Sequence, residues 1–226
     1  MTKQNWQKIY AAGEQLNRYP YDFIVSNYFH QLSARQGQAP RVLDLGCGAG
    51  NHSLFCAENG SDVVAVDYST SALKVVAQRA AAQGLADHIR TATVDFDDFS
   101  LDEQLLGDGF DLIIDRLSVT HAPRKSAQQV YDRVYDLLNE NGVLLSNLFS
   151  IGHSHKDYGR YDQQKDVWVD FSDGIFKGLL SASFYDEKQV RQLFSRYQLN
   201  GLRLETDRDL ISDYGCLEIW KIIAHK

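Results

Sequence analysis

The 226 residues include only three prolines, three cysteines and one methionine. So few prolines, at positions 20, 40 and 123, exclude a Pro-rich linker or recognition segment. Cys47, Cys56 and Cys216 form no C-x-x-C and no zinc-ligand spacing. That argues against a disulfide framework, suggests no metal site and fits a reducing compartment. No stretch approaches the roughly 18 apolar residues of a membrane span, and Met1–Trp6 lacks the apolar core of a signal segment. Positive charge is also scarce: Lys plus Arg is 23 against 30 Asp plus Glu, a formal net charge of −7. A binder of phosphate backbones normally carries a basic face, and none is evident. These absences predict a cytoplasmic protein whose partner is neither nucleic acid nor membrane.

The hydrophobic share of 44% and the charged share of 23% are globular values. A chain of this length buries on the order of 70% of its unfolded surface, so a core needs no staples. Residues 1–36 carry apolar side chains at three- and four-residue steps, broken at Pro20, and predict two helices. Beyond a linker at 36–40 the pattern changes. Short apolar runs at 41–45, 62–67, 91–95, 110–115 and 142–147 alternate with helical patterns near 51–59, 69–83 and 124–139. Such alternation predicts βαβ units around a buried parallel sheet. The tail predicts a helix near 186–198 and two strands, 203–207 and 216–224. The stretch 151–182 has little periodicity and many aromatics, among them Tyr158, Tyr161, Trp168, Phe171 and Phe176. It is too long for a plain connector and reads as a lid or a dimer contact.

In an open parallel sheet, ligands bind beyond the carboxyl ends of the strands. Four runs carry an acid at or near that end: Asp44, Asp67, Asp95 and Asp115. Aspartate is also a good turn and cap residue, so any one of them has a bland explanation. Asp44 is different, because it lies inside a run covered on both faces. A carboxylate there costs several kcal/mol unless a hydrogen bond or a cation meets it. Glycines at 46, 48 and 50 follow directly, then a helix. They permit a tight bend and close approach of a ligand, and the helix start offers free N–H groups. The dinucleotide fingerprint requires glycine at 51, where this chain has Asn51, which counts against a nicotinamide oxidoreductase.

The run Val42-Leu-Asp-Leu-Gly-Cys-Gly-Ala-Gly50 resembles the first motif of class I S-adenosylmethionine-dependent methyltransferases of the small-molecule type, and the likeness extends over about residues 40–150. The resemblance implies a Rossmann-like, doubly wound α/β fold with a seven-stranded sheet, mostly parallel with an antiparallel last strand. It implies an N-terminal helical lid over residues 1–39 and a methyltransferase domain over 40–226 with a lid-like insertion at 151–182. By position, Asp44 and the loop of Gly46, Cys47, Gly48 and Gly50 would hold the methionine end of the cofactor, with Cys47 as small filler. Asp67 would bond both ribose hydroxyls, with Tyr68 beside it. Asp95 would accept from the adenine amino group and Phe96 would pack on the ring, although Asp97 and Asp98 compete with Asp95. Arg116 and Leu117 would line the methyl-donor end. Trp6-x-x-x-Tyr10-x-x-Gly13 resembles the family's entry helix, so that Tyr10 and Tyr19 would close over the cofactor. As core residues of an amphipathic helix pair they would be equally unsurprising.

The implied activity is methyl transfer from S-adenosylmethionine to an unidentified small molecule, releasing S-adenosylhomocysteine, by a monomer or homodimer. The alternative is a cofactor-binding sensor or partner subunit without turnover. Signatures of base-modifying enzymes are absent: Asp115-Arg-Leu-Ser118 stands after the fourth run, and Pro123 precedes Arg124, not cysteine. Methyl transfer needs a base only where the acceptor must lose a proton. His121, just after the fourth run, is the catalytic candidate. His153 and His155, two apart, read as substrate contacts or solvated side chains.

Overall fold

The computed structural model describes residues 4–14, 16–32, 39–179, 181–209 and 215–226. Two helices come first, α1 (Gln4–Ala11) and α2 (Asp22–Leu32). The sheet then starts with β1 (Arg41–Leu45), α3 (Asn51–Glu58), β2 (Asp62–Asp67), α4 (Thr70–Ala82) and β3 (Ile89–Thr93). A short helix α5 (Glu103–Leu106) leads to β4 (Phe110–Arg116), α6 (Arg124–Leu137) and β5 (Leu138–Ser150). Next come β6 (Arg160–Asp162), β7 (Val167–Val169), β8 (Ser181–Ala182) and β9 (Phe184–Tyr185). The chain ends with α7 (Glu187–Leu193), β10 (Gln198–Arg208) and β11 (Cys216–His225).

The main sheet runs β3-β2-β1-β4-β5-β11-β10. Its first five strands pair in parallel and β11 pairs antiparallel with both neighbours. This is the mostly parallel seven-stranded order with one reversed strand at the end of the chain. One strand goes beyond the sequence reading: β9 pairs in parallel with the far end of β5. The alternation of side chains divides the core between two faces. Leu43, Leu45, Val64, Val66, Ile113 and Leu144 join α6 and α7, while Val42, Val63, Ala65, Leu112 and Ile114 join α2, α3 and α4. Helix ends are fixed locally. Ser69 Oγ accepts from the Ala72 N–H at the start of α4, and Asp186 with Gln189 forms a capping box on α7.

Several boundaries differ from the periodicity. The third strand ends at Thr93, which pairs with Asp67, so Asp95 lies two residues beyond the strand and does not close it. The fifth strand starts at Leu138, well before 142, and carries Asn141 at φ +63° through a register shift against β4. The last helix is shorter than 186–198 because Gln198 already begins β10, which pairs along its length with β11. The stretch 151–182 has a fold of its own: β6-β7-β8 form a small antiparallel sheet. Phe171, Phe176 and Ala182 from this stretch join Phe149 and Phe184 in a separate apolar cluster. Long-range pairing between aromatics hides this order from any period of 2 or 3.6. No helix among the described residues is long and apolar enough to cross a membrane.

Candidate active site

The glycine loop leaves β1 at the middle of the sheet's carboxyl edge. Gly46, Gly48 and Gly50 have φ of +63°, +53° and +79°. Only a residue without Cβ takes these values at little cost. A Cβ on Gly46 would lie 2.4 Å from Ser118 Oγ, and one on Gly48 2.4 Å from Tyr10 Oη. Asp67, at the end of β2, holds the loop from the side. Its Oδ2 accepts from the Gly48 N–H at 2.9 Å and its Oδ1 from the Ser69 N–H at 2.7 Å. Each oxygen keeps a lone pair for another donor. Arg79 of α4 clamps the loop from behind, donating to the Ala49 carbonyl at 2.6 Å and to Asn51 Oδ1 at 2.8 Å.

The partner that Asp44 requires is Ser53 on the first turns of α3, whose Oγ donates to Asp44 Oδ2 at 2.6 Å. Burial pushes the Asp44 carboxyl up to about 7, against the lowering effect of the Ser53 bonds. Asp115 has a different task. Its Oδ1 accepts from the Ser118 and Val119 N–H groups, both at 3.0 Å, and its Oδ2 from Tyr131 Oη and, at 2.9 Å, Ser146 Oγ. It ties the turn after β4 to α6 and β5. Burial pushes its carboxyl upward as well.

On the β3 side, Asp95 accepts the Asp97 N–H on Oδ1 at 3.0 Å, and Asp97 in turn accepts from Ser126 Oγ at 2.8 Å. Phe96 reaches the loop: its Cζ lies 3.8 Å from a Cβ built on Gly46. Tyr68 is partly exposed beside Asp67. Helix α1 lies over this edge. Gln7 accepts from Ser69 Oγ at 3.1 Å and donates to Ser71 Oγ at 2.6 Å, fixing α1 to the start of α4. Trp6 stacks on Tyr10 at 6.2 Å and meets the His121 ring edge-on at 5.3 Å. Burial raises the Tyr10 hydroxyl far above its ordinary range, with Asp67, Cys47 and Asp44 adding to the effect. Tyr10 is therefore a neutral hydroxyl over the loop. Tyr19 stands apart, 79% exposed. Gln7 carries no sequence signal beyond its place on the helix, whereas Ser53, a hydroxyl just after the loop, could have been sought as the partner of Asp44.

Beyond β4, Leu117 holds φ +54°, rare for a branched side chain and often a mark of functional turns. Its side chain packs on the Phe149 cluster. Arg116 stacks over the Tyr21 ring at 4.3 Å. His121 Nδ1 is 2.7 Å from the Ser181 carbonyl. A carbonyl only accepts, so Nδ1 carries the proton and Nε2 keeps its lone pair. Burial lowers the His121 pKa, and the neutral ring prevails near pH 7. Ser181 Oγ donates back to the His121 carbonyl at 2.6 Å, so the insertion seats this residue. His153 and His155 are not solvated: both are buried among Phe149, Phe176 and Tyr158. His153 Nδ1 caps the His155 N–H and His155 Nδ1 accepts from Ile175 N–H. No group of three or more metal-ligating side chains occurs among the described residues.

Residues 42–142 match the model of a methyltransferase domain family. A methyltransferase-named protein of Geobacillus sp. is 31% identical over 146 residues, 62% of this chain and 56% of the relative. A ubiquinone biosynthesis O-methyltransferase of Psychrobacter arcticus is 30% identical over 130 residues, 57% of this chain and 48% of the relative. The chain thus spans about half the length of these curated relatives. Among solved structures, a SAM-dependent methyltransferase of Methanosarcina mazei superposes with a TM-score of 0.68 at 19% identity, covering 92% of this chain and 98% of its own. A Burkholderia thailandensis 1,6-didemethyltoxoflavin-N1-methyltransferase, solved with that acceptor and S-adenosylhomocysteine, superposes with a TM-score of 0.64 at 16% identity, covering 99% and 86%. Residues 42–142 are thus similar to a methyltransferase domain, and the chain shares the fold of solved S-adenosylmethionine-dependent methyltransferases.

Proposed function

We propose that the chain transfers the methyl group of S-adenosylmethionine to a small-molecule acceptor. The observation that carries this reading is Asp67. It is a carboxylate at the end of β2, anchored by two backbone N–H groups beside a loop bent through three positive φ angles. The donor set suits the cofactor. Asp67 retains acceptor capacity for a vicinal diol, Phe96 offers an apolar wall, and a Cβ at Gly48 would fill the cradle. The surroundings also suit a cation: Asp67 and Asp44 act electrostatically on the Tyr10 hydroxyl, and Trp6 stacks on Tyr10. The Psychrobacter relative is named for ubiquinone biosynthesis and the Burkholderia structure holds 1,6-didemethyltoxoflavin, which supports a small-molecule acceptor.

When bound, the cofactor supplies a methyl group on a sulfonium for in-line displacement. The chain's own contribution is placement, which alone accounts for much of such a rate. Asp67 fixes the ribose, the glycine loop admits the ligand backbone, and Trp6 with Tyr10 excludes water. His121 Nε2 accepts the acceptor's proton where one must leave. Replacing Asp67 with alanine is expected to weaken S-adenosylhomocysteine binding by about 1–3 kcal/mol, from ribose hydroxyls left unpaired. Calorimetric titration checks this, and an unchanged dissociation constant removes Asp67 from the site.

Protonation of His121 sets in only below its ordinary pKa of 6.5, because burial favours the neutral ring. The pH profile of kcat/KM should therefore stay level through neutrality and fall on an acid limb below 6.5, the value from which the pKa is lowered. His121→Asn should reduce kcat by about 10²–10⁴-fold and remove that limb. Retention of the limb in the variant rejects His121 as the base. Turnover itself is tested by release of S-adenosylhomocysteine across a metabolite panel. Release with any acceptor supports the proposal. Tight binding with no turnover on the panel favours the sensor or partner-subunit alternative, and no binding at all defeats both.

A further inference from the structure

Leu204 ends an apolar row at an open edge of the sheet. The row crosses three strands on the face covered by α6 and α7. Leu148 on β5 pairs with Trp220 on β11, and Trp220 pairs with Leu204 on β10. Leu148 and Trp220 are buried, whereas Leu204 is 46% exposed. On one side β10 pairs with β11, and on the other it meets no described strand. Its regular ladder starts after a register shift between Leu199 and Gly201 and runs through Arg208. The outward N–H and C=O groups of that run are a template for another strand unless something blunts the edge.

Charged side chains ordinarily do the blunting, and this run carries Arg203, Glu205, Asp207 and Arg208. Their order decides otherwise. Backbone groups alternate between the two sides of a strand, so a residue facing outward pairs only with another that does. Two copies of one strand, antiparallel about a two-fold axis, therefore meet at a residue and not between two. A centre at Leu202 carries the pairing into the bulge and matches no charges. A centre at Arg203 sets two guanidinium groups face to face, and centres at Glu205 and Asp207 each set two carboxylates so. A centre at Thr206 sets Glu205 against Asp207 twice. A centre at Leu204 has no like-charge pair: Arg203 lies opposite Glu205 twice, Leu202 opposite Thr206 twice, and Leu204 opposite itself. Opposite charges across strands stabilise a pair and like charges weaken it. Glu205 already meets Lys221 and Tyr21 Oη, and its two oxygens have capacity for a further donor.

We infer that β10 docks a second copy of this chain, its strand added antiparallel about a two-fold axis through Leu204. The two sheets become one, and the apolar row runs unbroken from Leu148 of one copy to Leu148 of the other. Assembly closes at two, because the axis uses the same edge on both copies.

The test uses the full chain. Sedimentation equilibrium across micromolar concentrations should give twice the chain mass of 25.6 kDa. Leu204→Lys puts like charges on the axis, and Arg203→Glu sets carboxylates opposite each other twice. Each weakens the dimer at least about tenfold. Arg203→Glu combined with Glu205→Arg restores opposite charges in the same register and recovers the dimer. Residues directly opposite across strands stand within reach of a disulfide. Leu204→Cys therefore gives a covalent dimer under mild oxidant. Thr206→Cys, four residues out of register with its own copy, gives no more than the native chain with its Cys216. Melting curves identify any variant that fails to fold, and the cross-linking then decides. The inference is overturned by a native chain that stays monomeric throughout, or by a dimer indifferent to both Leu204→Lys and Arg203→Glu. It is equally overturned by an exchange variant no tighter than Arg203→Glu alone, or by Thr206→Cys cross-linking as readily as Leu204→Cys.

Discussion

Gly48→Val abolishes binding of S-adenosylhomocysteine while the protein stays folded. The backbone at 48 sits at φ +53°, where a side chain costs about 1–2 kcal/mol of strain. The new Cβ would stand 2.4 Å from Tyr10 Oη, so Tyr10 must swing out and take the closing helix with it. The β-branch then projects into the concave side of the loop, where a ligand has to approach the backbone. A strain of that size leaves a domain of this length folded, with a melting temperature a few degrees lower. Titration calorimetry and a melting curve on the same preparation separate the two effects. A variant that binds with native affinity shows that the loop is not the cradle.

Asp115→Ala is expected to lower stability by about 3–5 kcal/mol, the range for breaking a buried polar network. Four donors lose their acceptor together: the Ser118 and Val119 N–H groups, Tyr131 Oη and Ser146 Oγ. Two of these belong to the turn that carries Leu117 and His121, so activity should fall even where the fold survives. Urea unfolding at neutral pH measures the loss. A change below about 1 kcal/mol would mean the donors find water or other partners and that Asp115 is dispensable. The sign of the pKa effect agrees with this assignment. Burial raises the Asp115 carboxyl, and the four hydrogen bonds pull it back towards ionisation.

The strand-end aspartates show how far sequence reading carries and where it stops. Asp67 and Asp44 were legible because a carboxylate next to G-x-G-x-G, inside or ending a buried strand, has few inexpensive explanations. Asp115 looks the same in sequence, yet its partners Tyr131 and Ser146 come from elements 16 and 31 residues away. Only the pairing of β4 with β5 and the seating of α6 reveal that it is a structural tie. Asp95 was misplaced by two residues because Thr91-Ala-Thr-Val alternates in either register. Pairing with β2 ends the strand at Thr93. The parallel pairing of the central strands was readable because each apolar run is short, ends in turn chemistry and alternates with a helical pattern.

The stretch 151–182 was not readable in that way. Its helices and strands are a few residues long, and its order comes from aromatic contacts such as Phe149 on Phe176 at 4.8 Å and Trp168 on Phe184 at 5.3 Å. The same segment supplies the Ser181 carbonyl that fixes the tautomer of His121. Trp6 reaches that histidine from the other side. Two segments far apart in the chain therefore converge on one imidazole, a convergence that neither spacing nor composition encodes.

The decisive experiment is a crystal structure grown with S-adenosylhomocysteine. The account predicts the ribose diol on the Asp67 carboxylate, the homocysteine end over Gly46–Gly50 and the adenine against Phe96. A ligand bound elsewhere on the molecule, or an Asp67 turned away from it towards bulk water, contradicts the account.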